Sequence, residues 1–312
     1  MVRALSFSWR AVSSRTVSWS AVSLSVVSLS AVALLGTAAL LRLWDDDPST
    51  EARLPRTGEL VERMSFLGPV AAAEALREAA QRLEDGVPHE YYFTRVMYAG
   101  FGRGFGRRRG GGGGWATDYP KADQIFLSFI DRLLPNLDAY EWEHPMRLDD
   151  PAIRHFPFLY LLEVGGMALR EPEIEGLRDY LLAGGFLVVD DFWGTRQWAN
   201  WEYEIQQVLP GYEIVDLSLD HEIFSVFYDI DEILQVPNIS NGIRGGPTYQ
   251  SDGYIPWVKG IYDENGRLMV VINWNTDLGD AWEWADDPDY PFRYSMYAYE
   301  MGVNMIVYAM TH

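Results

Sequence analysis

The residues best equipped for chemistry stand in three places. In FLVVDDFWG, Asp190 and Asp191 close an apolar run of strand length, and Phe192 and Trp193 come next. Two adjacent carboxylates there can ligate a cation, accept hydrogen bonds from a hydroxylated ligand, or cap the next helix. Capping is the commoner job for Asp at such a turn, but it needs one carboxylate and here there are two. Asp220-His221-Glu222 sets an imidazole between two acids, the makings of a general base. The run NWNTDLGDAWEWADDPDY holds Asn273, Asn275, Asp277, Asp280, Glu283, Asp286, Asp287 and Asp289. Oxygen donors at that density suit calcium. The spacing of a calcium-binding helix–loop–helix is absent, however, so the run reads as an acidic surface loop. Arg244, ahead of Gly245-Gly246-Pro247, belongs to a loop expected near the same strand ends.

Other chemistry is excluded by composition. The 312 residues include no cysteine, which removes thiolate nucleophiles, disulfides and Cys-ligated zinc or iron–sulfur sites. No Gly-x-Ser-x-Gly elbow occurs. Histidines 89, 144, 155, 221 and 312 have no metal-ligand spacing, so neither a metal nor a cofactor is expected. The segment FGRGFGRRRGGGGGW, residues 101–115, has glycines after a strand. It lacks both the Gly-Lys-Ser/Thr of a P-loop and a helix opening at its last glycine. Five consecutive glycines read as a flexible, solvated insertion.

The elements that must position these residues can be read from apolar spacing. Tyr91–Ala99 is aromatic and β-branched, a strand. Apolar residues at 125, 126, 129, 130, 133 and 134 give a helix over Asp123–Leu134. Phe158–Val164 and Phe186–Val189 are continuous apolar runs, the mark of strands buried on both faces. Between them Glu171–Ala183 reads as a helix, with Pro172 and acids in its first turn and Gly184-Gly185 at its end. Gln197–Leu209 reads as a helix and Tyr212–Leu217 as a strand. Asn265-Gly266 predicts a hairpin joining Val258–Asp263 to Arg267–Asn273. Tyr297–Met310 is a closing helix. Strands alternating with helices predict a largely parallel α/β sheet with helices on both faces and an antiparallel edge hairpin. Ligands of such sheets sit at the carboxyl ends of the strands, which is where Asp190 and Asp191 lie.

The charge is uneven. The whole chain carries 25 basic and 45 acidic side chains, a net charge of −20. Residues 1–109 hold 14 of the basic and 11 of the acidic ones, so the excess of acid belongs to the remainder. That balance argues against nucleic acid, because neutralising phosphates takes a basic face. At the N-terminus, Val17–Leu41 contains no charged residue, with Arg3, Arg10 and Arg15 before it and Asp45-Asp46-Asp47 after it. About 20 apolar residues span a bilayer as a helix, and basic residues on the N-terminal side favour export of the chain beyond the span. Residues 1–44 therefore read as a signal anchor, or as a signal peptide cleaved after Ala33 or Ala38. Residues 45–90 read as a linker with a juxtamembrane helix at Val70–Leu83, and 91–312 as the main domain. The membrane contact is expected through residues 17–43.

The blocks FPFLYLLEVGGMAL, EIEGLRDYLLAGGFLVVDDFWG, LSLDHEIFSVFYDI and YAYEMGVNMIVYAMTH, in this order within residues 91–312, resemble the DUF4159 family of bacterial domains. TDYPKADQIFL and NWNTDLGDAWEWADDPDYPF resemble its branch with a short N-terminal anchor. The resemblance implies a flavodoxin-like fold akin to class I glutamine amidotransferases. Those enzymes carry a nucleophilic Cys on a strand–turn–helix elbow. The comparable elbow here holds Asp190-Asp191-Phe192-Trp193-Gly194, so thioester chemistry is closed by that route. The amidotransferase His-x-Glu pair finds its nearest counterpart, at a different spacing, in His221-Glu222. Members of the family are encoded near MoxR-type ATPases and von Willebrand factor A proteins, so the resemblance also implies a cell-envelope role, with cell-envelope proteins as partners.

These residues support two functional readings. The first is an exported, anchored, non-catalytic domain that binds a ligand or partner through Asp190, Asp191, Trp193, His221, Arg244, Asn273 and Asn275. The alternative is a hydrolase in which Asp190 or Asp191 acts with His221 to activate water on a glycan or peptide. The location is testable on its own. Sequencing the mature protein from membranes should return an N-terminus that still contains residues 17–43. A mature chain beginning after Ala33 or Ala38 contradicts the anchor and leaves a cleaved signal.

Overall fold

A computed structural model describes residues 86–100 and 114–312 of the chain. The N-terminal segment 17–43, the helix expected at 70–83 and most of the Gly/Arg segment, 101–113, lie outside the described residues. Among the described residues, no helix is long and apolar enough to cross a membrane.

The apolar runs become the core of a seven-stranded sheet. Its strands are β1 (Thr94–Met97), β2 (His144–Arg147), β3 (Phe158–Leu162), β4 (Phe186–Asp190), β5 (Val215–Asp216), β6 (Trp257–Tyr262) and β7 (Leu268–Trp274). Their order across the sheet is β2-β1-β3-β4-β7-β6-β5. The first five strands in that order run parallel, and β6 and β5 add an antiparallel extension. The parallel part thus has the 2-1-3-4-5 order of flavodoxin-like sheets. The predicted hairpin exists, but neither of its strands is the edge of the sheet, since β6 is covered by β5. Strand β7 lies in the interior, paired parallel to β4, because its seven residues are apolar enough to be covered on both faces.

Side chains alternate between the two faces of each strand. Phe158, Tyr160, Leu162, Phe186 and Val188 face one layer, made by α1 (Lys121–Leu133), α5 (Leu278–Glu283) and α6 (Phe292–Thr311). Leu159, Leu161, Leu187 and Val189 face the other, made by α2 (Glu171–Leu182) and α3 (Gly194–Val208). A short helix, α4 (Ile239–Arg244), lies in the long connection between β5 and β6. Sequence pattern predicts neither strand β2 nor helices α4 and α5. HPMR has no apolar run, and two helices of six residues are too short to display a period.

Helix α2 meets the segment after β2 at a glycine. A Cβ on Gly176 would lie 2.0 Å from the Leu148 carbonyl oxygen. Gly→Ala inside a helix ordinarily gains about 1 kcal/mol from propensity. Here the contact is with backbone and cannot rotate away, so overpacking decides the sign. Gly176→Ala is expected to destabilise the fold by about 1–3 kcal/mol in urea unfolding. A neutral or stabilising result would mean that this helix does not approach the Leu148 backbone so closely.

Candidate functional site

The carboxyl ends of the parallel strands carry a concentration of acid. The connection from β1 to α1 supplies Asp118, and that from β3 to α2 supplies Glu163. The turn from β4 to α3 supplies Asp190 and Asp191. The turn from β7 to α5 supplies Asp277, and α5 itself carries Asp280 and Glu283. Carboxylate oxygens of Asp118, Asp191 and Asp277 lie within 4.8 Å of one another, and so do those of Asp118, Asp280 and Glu283. Asp118 belongs to both groups.

Local structure explains how each acid is held. Arg95, in β1, is fully buried against Asp123 in the first turn of α1. Its Nε donates to both Asp123 oxygens at 3.0 Å, and its Nη2 donates to Oδ1 as well. Its Nη1 donates to the carbonyls of Trp115 and Thr117, at 3.2 and 2.9 Å. The guanidinium thereby ties down the segment that ends in Asp118, and Asp123 already balances its charge. Asp277 caps α5, its Oδ1 accepting from the Asp280 backbone N–H at 2.9 Å. Asp280 Oδ2 accepts from the Ile239 N–H at 2.6 Å, which joins α4 to the site. Asp191 Oδ1 accepts from the Trp193 indole at 2.9 Å. Asp190 Oδ2 accepts from the Tyr160 hydroxyl at 2.7 Å and from the Gly279 N–H at 3.1 Å.

Two carboxylate oxygens at the site are sealed from solvent and accept no hydrogen bond, Asp118 Oδ2 and Asp190 Oδ1. Gly279 keeps the space in front of the first one open. A Cβ there would lie 3.0 Å from Asp118 Oδ2, 3.1 Å from the Tyr160 hydroxyl and 3.6 Å from Asp277 Oδ1. The backbone is also unusual around this space. Asp118, Glu163, Asp191 and Asn275 all take left-handed conformations, with φ of 59°, 54°, 47° and 61°. Such conformations are uncommon for residues with a Cβ and gather where a site needs a side chain aimed against local preference.

Burial and mutual repulsion govern the electrostatics. Burial first, then a neighbouring carboxylate, raises three of the acids well above the ordinary range: Asp118 beside Asp280, Asp191 beside Glu163, and Asp277 beside Asp191. Burial and Asp280 push Glu163 up to about 7. Burial pushes Asp190 up to about 7 as well, against the hydrogen bonds from Tyr160 and the backbone. Asp280 and Glu283 are raised by burial too. These donors are all hard oxygens, the set that suits magnesium, calcium or manganese and not a soft metal.

A family profile described as "Domain of unknown function (DUF4159)" matches residues 93–310. The chain belongs to the DUF4159 family. The match takes in every strand of the seven-stranded sheet. No curated protein matches the chain.

In this DUF4159 domain the residues singled out from sequence divide into two groups. Asp190, Asp191 and Trp193 are together at the strand ends. Asn275 is close by, but its polar groups are all engaged within the fold. Its Oδ1 accepts from the Gly194 N–H at 2.8 Å, and its Nδ2 donates to the Ile255 carbonyl at 2.7 Å. It clamps the start of α3 to the loop before β6. Asn273 points to α6, with Nδ2 3.8 Å from Met305 Sδ. Arg244 is the exposed last residue of α4, whose first residue is the one that meets Asp280.

His221 is at the opposite pole. Its ring packs on Tyr262 and Tyr308, and the Tyr308 hydroxyl accepts from the N–H of Leu268, the first residue of β7. Asp190 comes directly after Val189, which pairs with Ile272 near the other end of that strand. Asn273 is five residues along the strand from Leu268, a span of roughly 16 Å. One bridging water cannot cover it, so His221 and the Asp190–Asp191 pair do not form an acid–base couple. Sequence adjacency to Asp220 and Glu222 suggested a base, and the topology carried it to the opposite end of the strands.

The acidic run at 277–289 is corrected in the other direction. Asp277 and Asp280 are 3% and 6% exposed and line the strand-end site, while Asp286 and Asp289 are exposed. The surface-loop reading therefore holds for the end of the run and fails for its beginning. Asp118 and Glu163 escaped notice because nothing local marks them. Their position just beyond strands β1 and β3 was the available signal.

The raised carboxylates set a direction for stability against pH when cations are chelated. Each is more readily protonated in the folded chain than in the unfolded one, so the folded state holds more protons and stability falls as pH rises through the folded values. Half-buried His144, lowered to about 4, and His221, also lowered by burial, act in the opposite sense but are two groups against seven. In chelator, the thermal midpoint is expected to be higher at about pH 5 than at about pH 7.5. A midpoint that rises steadily across this interval would contradict the burial and crowding of these acids.

Proposed function

We propose that this chain is a cell-envelope DUF4159 domain, held at the membrane through residues 17–43, whose strand-end site binds a hard divalent cation without acyl-transfer chemistry. The observation that carries the reading is the convergence of Asp118, Asp191 and Asp277 from three separate strand–helix connections within 4.8 Å. A cation 2.0–2.6 Å from each oxygen fits among donors so spaced. It would neutralise charge that, among the described residues, no basic side chain at the site is free to balance, since Arg95 is paired with Asp123. In this reading the elbow that holds Cys in the amidotransferases offers Asp191 as a ligand. Trp193 orients that ligand through its indole N–H. A water-activating pair of Asp190 or Asp191 with His221 gains no support from the position of His221.

Thermal unfolding tests the reading. A bound ion stabilises by mass action, by about 2.7 kcal/mol at 100 times its dissociation constant. The midpoint of the EDTA-stripped protein should rise with millimolar Ca2+, Mg2+ or Mn2+ and should not rise with NaCl of equal ionic strength. Asp191→Asn should reduce the rise and leave a folded protein. If wild type responds to none of the three ions, or Asp191→Asn responds as wild type does, the proposal is wrong.

A further inference from the structure

We infer that the strand-end site holds two adjacent divalent cations, with Asp118 as the carboxylate they share. This deepens the proposed cation binding and rests on it. Two triads exist, Asp118–Asp191–Asp277 and Asp118–Asp280–Glu283, and Asp118 is their common member. Each supplies three carboxylates, enough to anchor a hard cation that completes its shell with water. A shared carboxylate is how adjacent cations are held about 3.5–4 Å apart in two-metal sites.

Crowded acids alone would not carry this, and the orphaned oxygen does. Asp118 Oδ2 is sealed from solvent and has no hydrogen-bond donor, although it lies beside the space that Gly279 leaves open, with the Tyr160 hydroxyl and Asp277 Oδ1 on the same space. The Tyr160 hydroxyl already donates to Asp190, so Asp118 Oδ2 has no donor there. A buried carboxylate oxygen without a partner is costly, and a cation is the partner that this geometry admits.

Charge sets the number. Asp118, Asp191, Asp277, Asp280 and Glu283 carry five negative charges when ionised. One divalent ion balances two of them and two ions balance four. The nearby cations are committed elsewhere. Arg95 is paired with Asp123, and Lys121 lies over the Trp284 ring at 3.7 Å and reaches Asp286 at 3.8 Å. Both triads also have a member fixed by the backbone: Asp277 by its cap on α5, and Asp280 by the Ile239 N–H.

The test is calorimetric titration of the full chain, purified in mild detergent and stripped with EDTA, using Mn2+ and Ca2+ in separate experiments. Wild type should take up two ions per chain. Glu283→Gln should take up one, because the triad of Asp118, Asp191 and Asp277 is untouched. Asp277→Asn should also take up one, at the remaining triad. Asp118→Asn should weaken both steps by tenfold or more. Each variant removes a repelling charge, so its unfolding midpoint in EDTA should match or exceed that of wild type, which certifies the fold. One ion per wild-type chain overturns the two-ion centre and leaves the cation-binding reading intact. Two ions in Glu283→Gln overturns the assignment of the second triad. No uptake by wild type overturns both readings.

Discussion

Like charges cannot be gathered in a dry space without something to offset them, and the carboxyl end of this sheet is organised around that constraint. Two unit charges 4 Å apart repel by about 4 kcal/mol at the effective dielectric of a protein near its surface. Seven carboxylates reach the carboxyl ends of β1, β3, β4 and β7, and four of them, Asp190, Asp191, Asp277 and Asp280, are buried. Burial first, and then this repulsion, holds these groups above their ordinary range, and protonation relieves part of both. A cation relieves more of the repulsion and also satisfies the oxygens that lack donors.

The surrounding fold acts to hold the acids in place. The ion pair of Arg95 with Asp123 is a scaffold beneath Asp118, since the same guanidinium grips the carbonyls of Trp115 and Thr117. Breaking such a buried pair strands a charge and typically costs about 3–5 kcal/mol, so the guanidinium that holds the loop is itself held in place. Asn275 clamps the opposite side, and Gly279 keeps the centre open. Four left-handed residues around one space are the backbone counterpart of the same demand. Flavodoxin-like sheets place ligands outside the carboxyl ends of their strands, and here that location is filled by acid.

Much of the architecture was legible because it rests on local pattern. FLYLL and FLVVD are continuous apolar runs, and they are the two central strands that pack on both layers. Asn265-Gly266 marked the hairpin correctly, since Gly266 takes φ of 83° between β6 and β7. The interior place of β7 was not legible, because strand order depends on which faces are covered. The site was legible only in part. Asp190 and Asp191 were marked by ending an apolar strand. Asp277 and Asp280 were visible as acids, yet their composition resembled that of a solvated loop, and burial is a property of tertiary packing. Asp118 and Glu163 gained their meaning from β1 and β3, which lie on one side of β4 in the sheet and apart from it in sequence. His221 misled for the converse reason, because neighbouring acids along the chain say nothing about which pole of a sheet a residue occupies.

The turn after β4 presents paired carboxylates, Asp190 and Asp191, and further carboxylates are brought to meet them from neighbouring connections. The claim that these acids are a cation site is tested most directly by anomalous diffraction from crystals of the protein grown with Mn2+. Anomalous density is expected among Asp118, Asp191 and Asp277, at bonding distance from their oxygens. A site without such density, in which the carboxyl groups instead pair with one another through shared protons, would contradict it.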